Sequence, residues 1–153
     1  LNLGQAMTNF AAQNYGAKKM DRVIKGGKSA LVMGVGVSVL ISTVICLFPS
    51  SFISIFNRDP GVIQIGNSYL RTVSVFYFVF AAMQILNGIL LGYGKSFVPM
   101  LASIGSLCLM QVPAAIILSR TSLGYNGIWI AAPVGWFGGL TIRFLYFRYI
   151  ARK

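Results

Sequence analysis

Four long stretches of this chain carry no charged side chain: residues 29–57, 72–94, 96–119 and 121–142. Each is at or above the length of about 20 residues with which an α-helix crosses the hydrocarbon core of a bilayer. Strands of a membrane barrel alternate in polarity over about ten residues, whereas these stretches are continuously apolar. The pattern therefore predicts four transmembrane helices.

The composition supports a membrane location. The chain is 56% hydrophobic and 10% charged, whereas about a quarter of the residues in a soluble domain are charged. Two acids and thirteen bases are too few to coat a water-soluble domain of 153 residues. The sequence therefore predicts an all-α integral membrane protein.

The limits of the helices follow from prolines, serines and charges. Residues 29–48 form the first predicted span, because Pro49 and the serines after it favour a stop, and residues 49–57 are expected at the interface. Residues 62–94 form the next helix, with Arg71 at the membrane rim because an arginine at mid-membrane costs about 2.5–3.5 kcal/mol. Residues 96–119 and 121–150 supply the last two helices.

Residues 1–17 resemble the end of a fifth helix. Gln5, Asn9 and Gln13 recur every four residues and form one polar face on an otherwise apolar helix that ends near Gly16. Such a face is expected either against protein or a wet cavity, or near the lipid headgroups. The chain starts with Leu1 rather than Met and is expected to be part of a longer protein.

The loops predict the orientation. The basic loop 18–28, Lys95 and the C-terminal Arg148, Arg152 and Lys153 fall on one side, while the opposite loops contain only Arg58, next to Asp59, and Arg120. By the positive-inside rule, loop 18–28 and the C-terminus are cytoplasmic. Topology alone explains the cluster of bases in loop 18–28, and binding of anionic lipid by these bases is the alternative explanation.

Several functional classes receive no support. The chain has no histidine, and Asp21 and Asp59 fall in loops on opposite sides of the membrane, so no acid–base pair is predicted and the chain is not expected to be an enzyme. Cys46 and Cys108 lie in different spans without a metal-binding or disulfide motif, so no metal site is predicted. The bases cluster between apolar stretches rather than along one stripe, so nucleic acid is not an expected partner.

One helix face is the main candidate for a substrate cavity. Tyr77, Phe80, Gln84 and Asn87 follow at i, i+3, i+7 and i+10, so aromatic rings and amides share one face. That face either holds an aromatic or cationic solute or forms hydrogen bonds between helices.

Further candidates lie on the last two helices. Ser103, Ser106 and Met110 have matching spacing and would either form the opposite cavity wall or simply pack. Pro113 and Pro133 lie inside spans, where each removes a backbone hydrogen bond, and they are candidates for hinges or static kinks.

Several short motifs, in their order and spacing, are similar to those of the multidrug and toxic compound extrusion (MATE) transporters, in their C-terminal half. The motifs are Gln13-Asn14-Tyr15-Gly16-Ala17, Phe56-Asn57-Arg58-Asp59-Pro60, Tyr69-Leu70-Arg71, Asn87-Gly88 with Gly92-Tyr93-Gly94, and Gly127-Ile128-Trp129-Ile130-Ala131-Ala132-Pro133.

The resemblance implies a twelve-helix transporter with two six-helix lobes. This chain then corresponds to the end of helix eight and helices nine to twelve, and its partners are the missing N-terminal lobe, membrane lipid and small organic molecules. The family exports organic cations and other amphipathic compounds across the cell membrane in exchange for Na+ or H+. Some sodium-coupled members carry an acid in helix ten, but residues 72–94 contain none. The coupling site is therefore expected outside this chain, without a covalently bound cofactor.

The main hypothesis is thus that this chain is part of a cation-coupled multidrug efflux antiporter that works by alternating access. One alternative is a lipid-linked sugar flippase of the same superfamily, although such proteins typically use cationic cavities and only Arg71 and Arg143 approach a span here. Another is a non-transporting membrane subunit or a truncated remnant, since no span contains an acid.

Overall fold

The computed structural model describes residues 2–151 as an assembly of helices. Leu1, Arg152 and Lys153 lie outside the described residues. The last two belong to the predicted basic side. The elements are α1 (Asn2–Gly16), α2 (Met20–Leu47), α3 (Pro49–Ser54), α4 (Pro60–Ser74), α5 (Tyr77–Gly92), α6 (Phe97–Gly105), a π-helical segment (Ser106–Gln111), α7 (Val112–Ser119) and α8 (Tyr125–Ile150).

Within residues 2–151, three helices are long and apolar enough to cross a membrane: Met20–Leu47, Phe97–Ser119 and Tyr125–Ile150. The pair α4 and α5 adds a fourth span if the two are counted as one helix bent by 54°. The prediction of an all-helical, multi-pass membrane protein is confirmed.

The first span differs from its predicted limits. α2 begins at Met20 rather than at residue 29, so most of the predicted basic loop 18–28 is helical. It ends at Leu47, and Phe48 leaves helical geometry (φ −125°, ψ 44°) because a residue before proline disfavours the α conformation. Pro49 then opens the short helix α3 within the segment expected at the interface.

Asp59 has a structural task at the start of α4. Its side chain accepts hydrogen bonds from the backbone N–H groups of Gly61 (2.8 Å) and Val62 (3.1 Å), and Pro60 occupies the first turn. A carboxylate at this position satisfies orphan donors and complements the helix dipole. One of the two acids of the chain is therefore a helix cap.

The helix predicted over residues 62–94 is broken. Its two parts, α4 and α5, meet at a 54° bend, where the carbonyl of Ser74 accepts a 2.5 Å hydrogen bond from the Ser42 hydroxyl on α2. The Cys46 thiol lies 3.2 Å from the Ser74 hydroxyl, which in turn donates to the carbonyl of Leu70. Side chains of α2 thus satisfy polar groups that the break would otherwise leave unpaired in an apolar region.

The span predicted over residues 96–119 also contains an irregular segment. Six residues, Ser106–Gln111, are π-helical and end just before Pro113, which has no N–H to donate. Pro133 is buried inside α8, and that helix continues past it. The hinge role of both prolines stays a prediction.

α5 is the central helix and packs against α1, α2 and α8. Its crossing with α1 depends on glycine, because a Cβ at Gly88 would overlap the backbone carbonyl of Gly4, and one at Gly92 would lie 2.6 Å from the carbonyl oxygen of Thr8. Small residues at such a crossing let two backbones approach closely within a membrane. α1 turns Gly4, Met7 and Ala11 toward the core.

The polar face of α1 points away from this core. Gln5, Asn9 and Gln13 are all exposed in the described residues.

The α1–α5 crossing gives a first prediction. We expect Gly88→Ala to lower the apparent melting temperature of the detergent-solubilised protein. The added Cβ would overlap the backbone carbonyl of Gly4, which cannot move aside as a flexible side chain can, and such overpacking costs about 1–3 kcal/mol. Gly36→Ala is the matched control, since a Cβ there meets no atom within 4 Å. Equal melting temperatures for the two variants would contradict the proposed role of the crossing.

Candidate functional site

A cavity of about 730 Å³ lies among five helices. Its walls come from α1, α2, α4, α5 and α8. The lining residues are Leu3, Gly4, Met33, Gly34, Val37, Ser38, Ile41, Tyr69, Tyr77, Phe80, Ala81, Gln84, Ile85 and Trp136. Its size is in the range of sites that accept small organic molecules.

Three of the predicted cavity residues lie in this wall: Tyr77, Phe80 and Gln84. α5 begins at Tyr77, directly after the break with α4, so the bend sets the direction in which this face points. Tyr69 reaches the same cavity from α4. The break therefore places aromatic side chains from both halves of the bent span around one space.

Trp136 of α8 completes an aromatic wall. Its ring centroid lies 5.1 Å from that of Phe80 and 6.2 Å from that of Tyr77, in tilted arrangements. Beyond the cavity, Trp129 contacts Tyr69 edge to face at 5.1 Å. Aromatic pairs at these separations stabilise one another, and they restrict how the cavity wall can rearrange.

The described lining of the cavity contains no charged side chain. The Ser38 hydroxyl donates to the carbonyl of Gly34 (2.7 Å) in its own helix. The Gln84 amide has no hydrogen-bond partner among the residues that the structure describes. The cavity thus offers aromatic faces for stacking or cation–π contact and one amide for a hydrogen bond.

The other predicted cavity residues lie elsewhere. Among the described residues, Asn87, Ser103, Ser106 and Met110 are not part of the lining of this cavity. Asn87 and Ser103 contact Arg143, the Ser106 hydroxyl donates to the carbonyl of Ser103 (3.1 Å), and Met110 packs against Gly138 of α8. Asn87 and Ser103 therefore take part in hydrogen bonds between helices, and Met110 packs against α8. Their role in a substrate cavity stays a prediction.

Arg143 is buried at the centre of a polar cluster, with 2% of its surface exposed. Its Nε donates to Asn87 Oδ1 (3.2 Å), and one terminal nitrogen donates to the carbonyl of Gly139 (2.9 Å). The other terminal nitrogen donates to the carbonyl of Pro99 (3.0 Å) and to the Ser103 hydroxyl (2.6 Å). One guanidinium thus joins α5, α6 and α8.

Sequence reasoning missed Tyr69, Trp136 and the burial of Arg143. Trp136 had one signal, its i, i+7 spacing from Trp129 on the same helix. Arg143 directly follows the uncharged stretch 121–142. This position predicts that Arg143 lies at the end of a span rather than in its interior. Its partners come from other helices, so spacing within α8 cannot reveal them.

The Arg143 cluster gives a second prediction. We expect Arg143→Met to lower the apparent melting temperature, because it removes the donor of the part-buried Asn87 Oδ1 and an unsatisfied acceptor costs about 1–3 kcal/mol. The Pro99 carbonyl keeps a donor in the Ser103 hydroxyl (2.9 Å). Arg148→Met is the matched control, since Arg148 is exposed on the same helix and its guanidinium carbon lies 5.9 Å from the centre of the Phe144 ring. A loss of stability that is equal in both variants would assign the effect to charge alone.

Comparison with known proteins supports the resemblance seen in the sequence. The chain is 26% identical to the probable multidrug resistance protein YoeA of Bacillus subtilis, with 100% of this chain and 33% of that protein covered. It is also 26% identical to the probable multidrug resistance protein NorM of Thermotoga maritima, over 93% of this chain and 31% of that protein. The chain therefore spans about a third of the length of these relatives.

A solved structure has the same fold. It is an inward-facing conformation of a multidrug resistance MATE family transporter of the MOP superfamily, with a TM-score of 0.89 and 22% sequence identity. The match covers 97% of this chain and 35% of that one. The family model MatE matches residues 1–117, which is most of the sequence. The chain belongs to the MatE family.

Proposed function

We propose that this chain forms part of a multidrug efflux antiporter, which exports amphipathic or cationic organic compounds in exchange for Na+ or H+. The observation that carries the proposal is the uncharged aromatic cavity among α1, α2, α4, α5 and α8. The relatives named as multidrug resistance proteins support it at the level of the family.

The chemistry of the cavity suits such compounds. A flat or cationic solute stacks against Trp136 and Phe80, and a cation gains from the negative face of these rings. The Gln84 amide, which has no hydrogen-bond partner among residues 2–151, can supply one hydrogen bond to a solute. Such a wall accepts many structures, because stacking depends on shape and polarisability more than on fixed polar groups.

Alternating access requires helices that bend. The break between α4 and α5 lies next to the cavity, and the π-helical segment before Pro113 interrupts a second span. Both interruptions lower the cost of a local change in helix direction. We place the bending of this part of the transporter at these two positions and at Pro133.

Coupling requires an ion site, and we place it outside this chain. Asp59 caps α4 and Asp21 is exposed near the start of α2, so neither acid faces the described cavity. A carboxylate in the remainder of the transporter would then hold Na+ or H+, and that remainder would also supply the opposite wall of the path.

The alternatives receive less support from the cavity. A lipid-linked sugar carries phosphate groups, and a flippase cavity for it would need cationic side chains, whereas the described lining has none. A non-transporting subunit or a remnant does not require an open aromatic cavity such as the one between these helices. Efflux by the full-length product of the reading frame separates these alternatives from the exporter.

The exporter proposal predicts that one phenylalanine matters more than its neighbour on the same helix. Phe80→Ala should lower ethidium efflux about fivefold, because it removes one aromatic face worth about 0.5–2 kcal/mol for a bound cation. Phe78→Ala is the matched control, since Phe78 lies on the other side of α5, outside the cavity. Efflux is measured in cells without their own multidrug exporters, at equal protein levels.

A companion variant is Gln84→Leu, which keeps the size of the side chain and removes its hydrogen bond. It should reduce efflux of hydrogen-bonding substrates more than efflux of ethidium. Equal loss in the Phe78 and Phe80 variants would show that the cavity is not the transport path.

We also propose that the basic ends of the spans face the cytoplasm, with loop 18–28, Lys95 and the C-terminus on that side. Lys95 and Arg120 are both exposed and lie at opposite ends of the Phe97–Ser119 span. On a background of Cys46→Ala and Cys108→Ala, a membrane-impermeant maleimide should label Arg120→Cys in intact cells. Lys95→Cys should label only after permeabilisation, and the reverse result would invert the topology.

A further inference from the structure

A second concave surface lies at the basic end of the molecule, between the end of α1 and the start of α2. It has a volume of about 520 Å³. Three bases line it, Lys19, Arg22 and Lys25, together with polar and apolar residues of both helices. We call this surface the basic groove. The described lining of the groove contains no acid.

The turn between the helices selects which bases reach the groove. Lys18 has a left-handed backbone (φ 58°), and the N–H of Lys19 returns to the carbonyl of Asn14 (2.8 Å), as in a helix C-terminal cap. Lys19 consequently lines the groove and Lys18 does not. Along α2, Arg22 and Lys25 share the groove face, whereas Lys28 is rotated away from it.

The floor of the groove is apolar and tightly packed. The ring of Phe10 on α1 lies so close to Gly26 on α2 that a Cβ at Gly26 would overlap it. Gln13, Asn14 and Ser29 add polar groups beside this floor. The groove thus combines cationic donors with an apolar base, which differs from a row of solvated lysines.

The position of the groove indicates its ligand. Ser29 is the first residue of the long uncharged stretch, and one turn further along α2 the side chain of Val32, which does not line the aromatic cavity, is 75% exposed. The groove therefore lies where an exposed apolar surface of α2 begins. A phosphate held there by Arg22 and the lysines can keep its acyl chains against that surface.

We propose that the basic groove binds the headgroup phosphate of one anionic phosphoglyceride from the adjacent membrane leaflet. This site is separate from the aromatic cavity, and it does not depend on the proposed transport function. Topology accounts for bases at this end of the spans, but it does not account for a groove that only three of them line.

Two variants of equal charge test the proposal. In the full-length product of the reading frame, Lys19→Gln with Arg22→Gln removes two bases of the groove, and Lys18→Gln with Lys28→Gln removes two bases outside it. Phosphatidylglycerol and phosphatidylcholine are titrated against each detergent-solubilised protein, and bound lipid is counted by native mass spectrometry. We expect the wild type to prefer phosphatidylglycerol at least tenfold.

The groove variant should lose about 25-fold in affinity for phosphatidylglycerol, about fivefold for each base near a membrane surface. The control variant should lose less than threefold. If the groove variant fails to insert, Lys25→Gln against Lys28→Gln repeats the comparison with single changes. Equal losses in groove and control variants, or no loss in either, would overturn the proposal.

Inorganic phosphate distinguishes the lipid from a free anion. We expect 10 mM phosphate to leave bound phosphatidylglycerol unchanged, because the acyl chains contribute to binding along α2. Displacement of the lipid by phosphate would assign the groove to a small soluble anion and overturn the lipid proposal. A wild-type protein that binds both lipids equally would overturn it as well.

Discussion

The close approach of α1 and α5 is the contact on which the rest of the structure depends. Gly88 has no Cβ, so the carbonyl of Gly4 can lie directly against the α5 backbone. Leu3 and Gly4 then line the aromatic cavity together with residues of α2 and α8. A bulkier residue at this crossing would push α1 away, and it would open the cavity on that side.

At the bend between α4 and α5, a side chain of another helix satisfies the irregular backbone. Ser42 donates to the carbonyl of Ser74 at the bend between α4 and α5, and the π-helical segment precedes a proline that cannot donate. In a bilayer an unpaired backbone group costs several kcal/mol, so such interruptions need a partner inside the protein. The break between α4 and α5 also brings residues from the two halves of that span to one cavity.

Patterns within single helices could be read from the sequence, and contacts between helices could not. The spacing of Tyr77, Phe80 and Gln84 predicted a shared face, because it follows the helical repeat. The break before Tyr77 carries no proline or glycine and is stabilised from α2, so no local signal marked it. Asn87 lies on the same face by the helical repeat. Its amide oxygen nevertheless accepts a hydrogen bond from Arg143 of α8, a helix far away in the sequence.

The buried arginine also bears on how the protein assembles in the bilayer. A helix that presents an arginine to lipid is costly to insert, by about 2.5–3.5 kcal/mol at the centre of a span. In α8 the acceptors on α5 and α6 surround this side chain, so the helix is more stable within the assembled bundle than alone. The last helix to be synthesised in this chain therefore depends on earlier ones that are already in place.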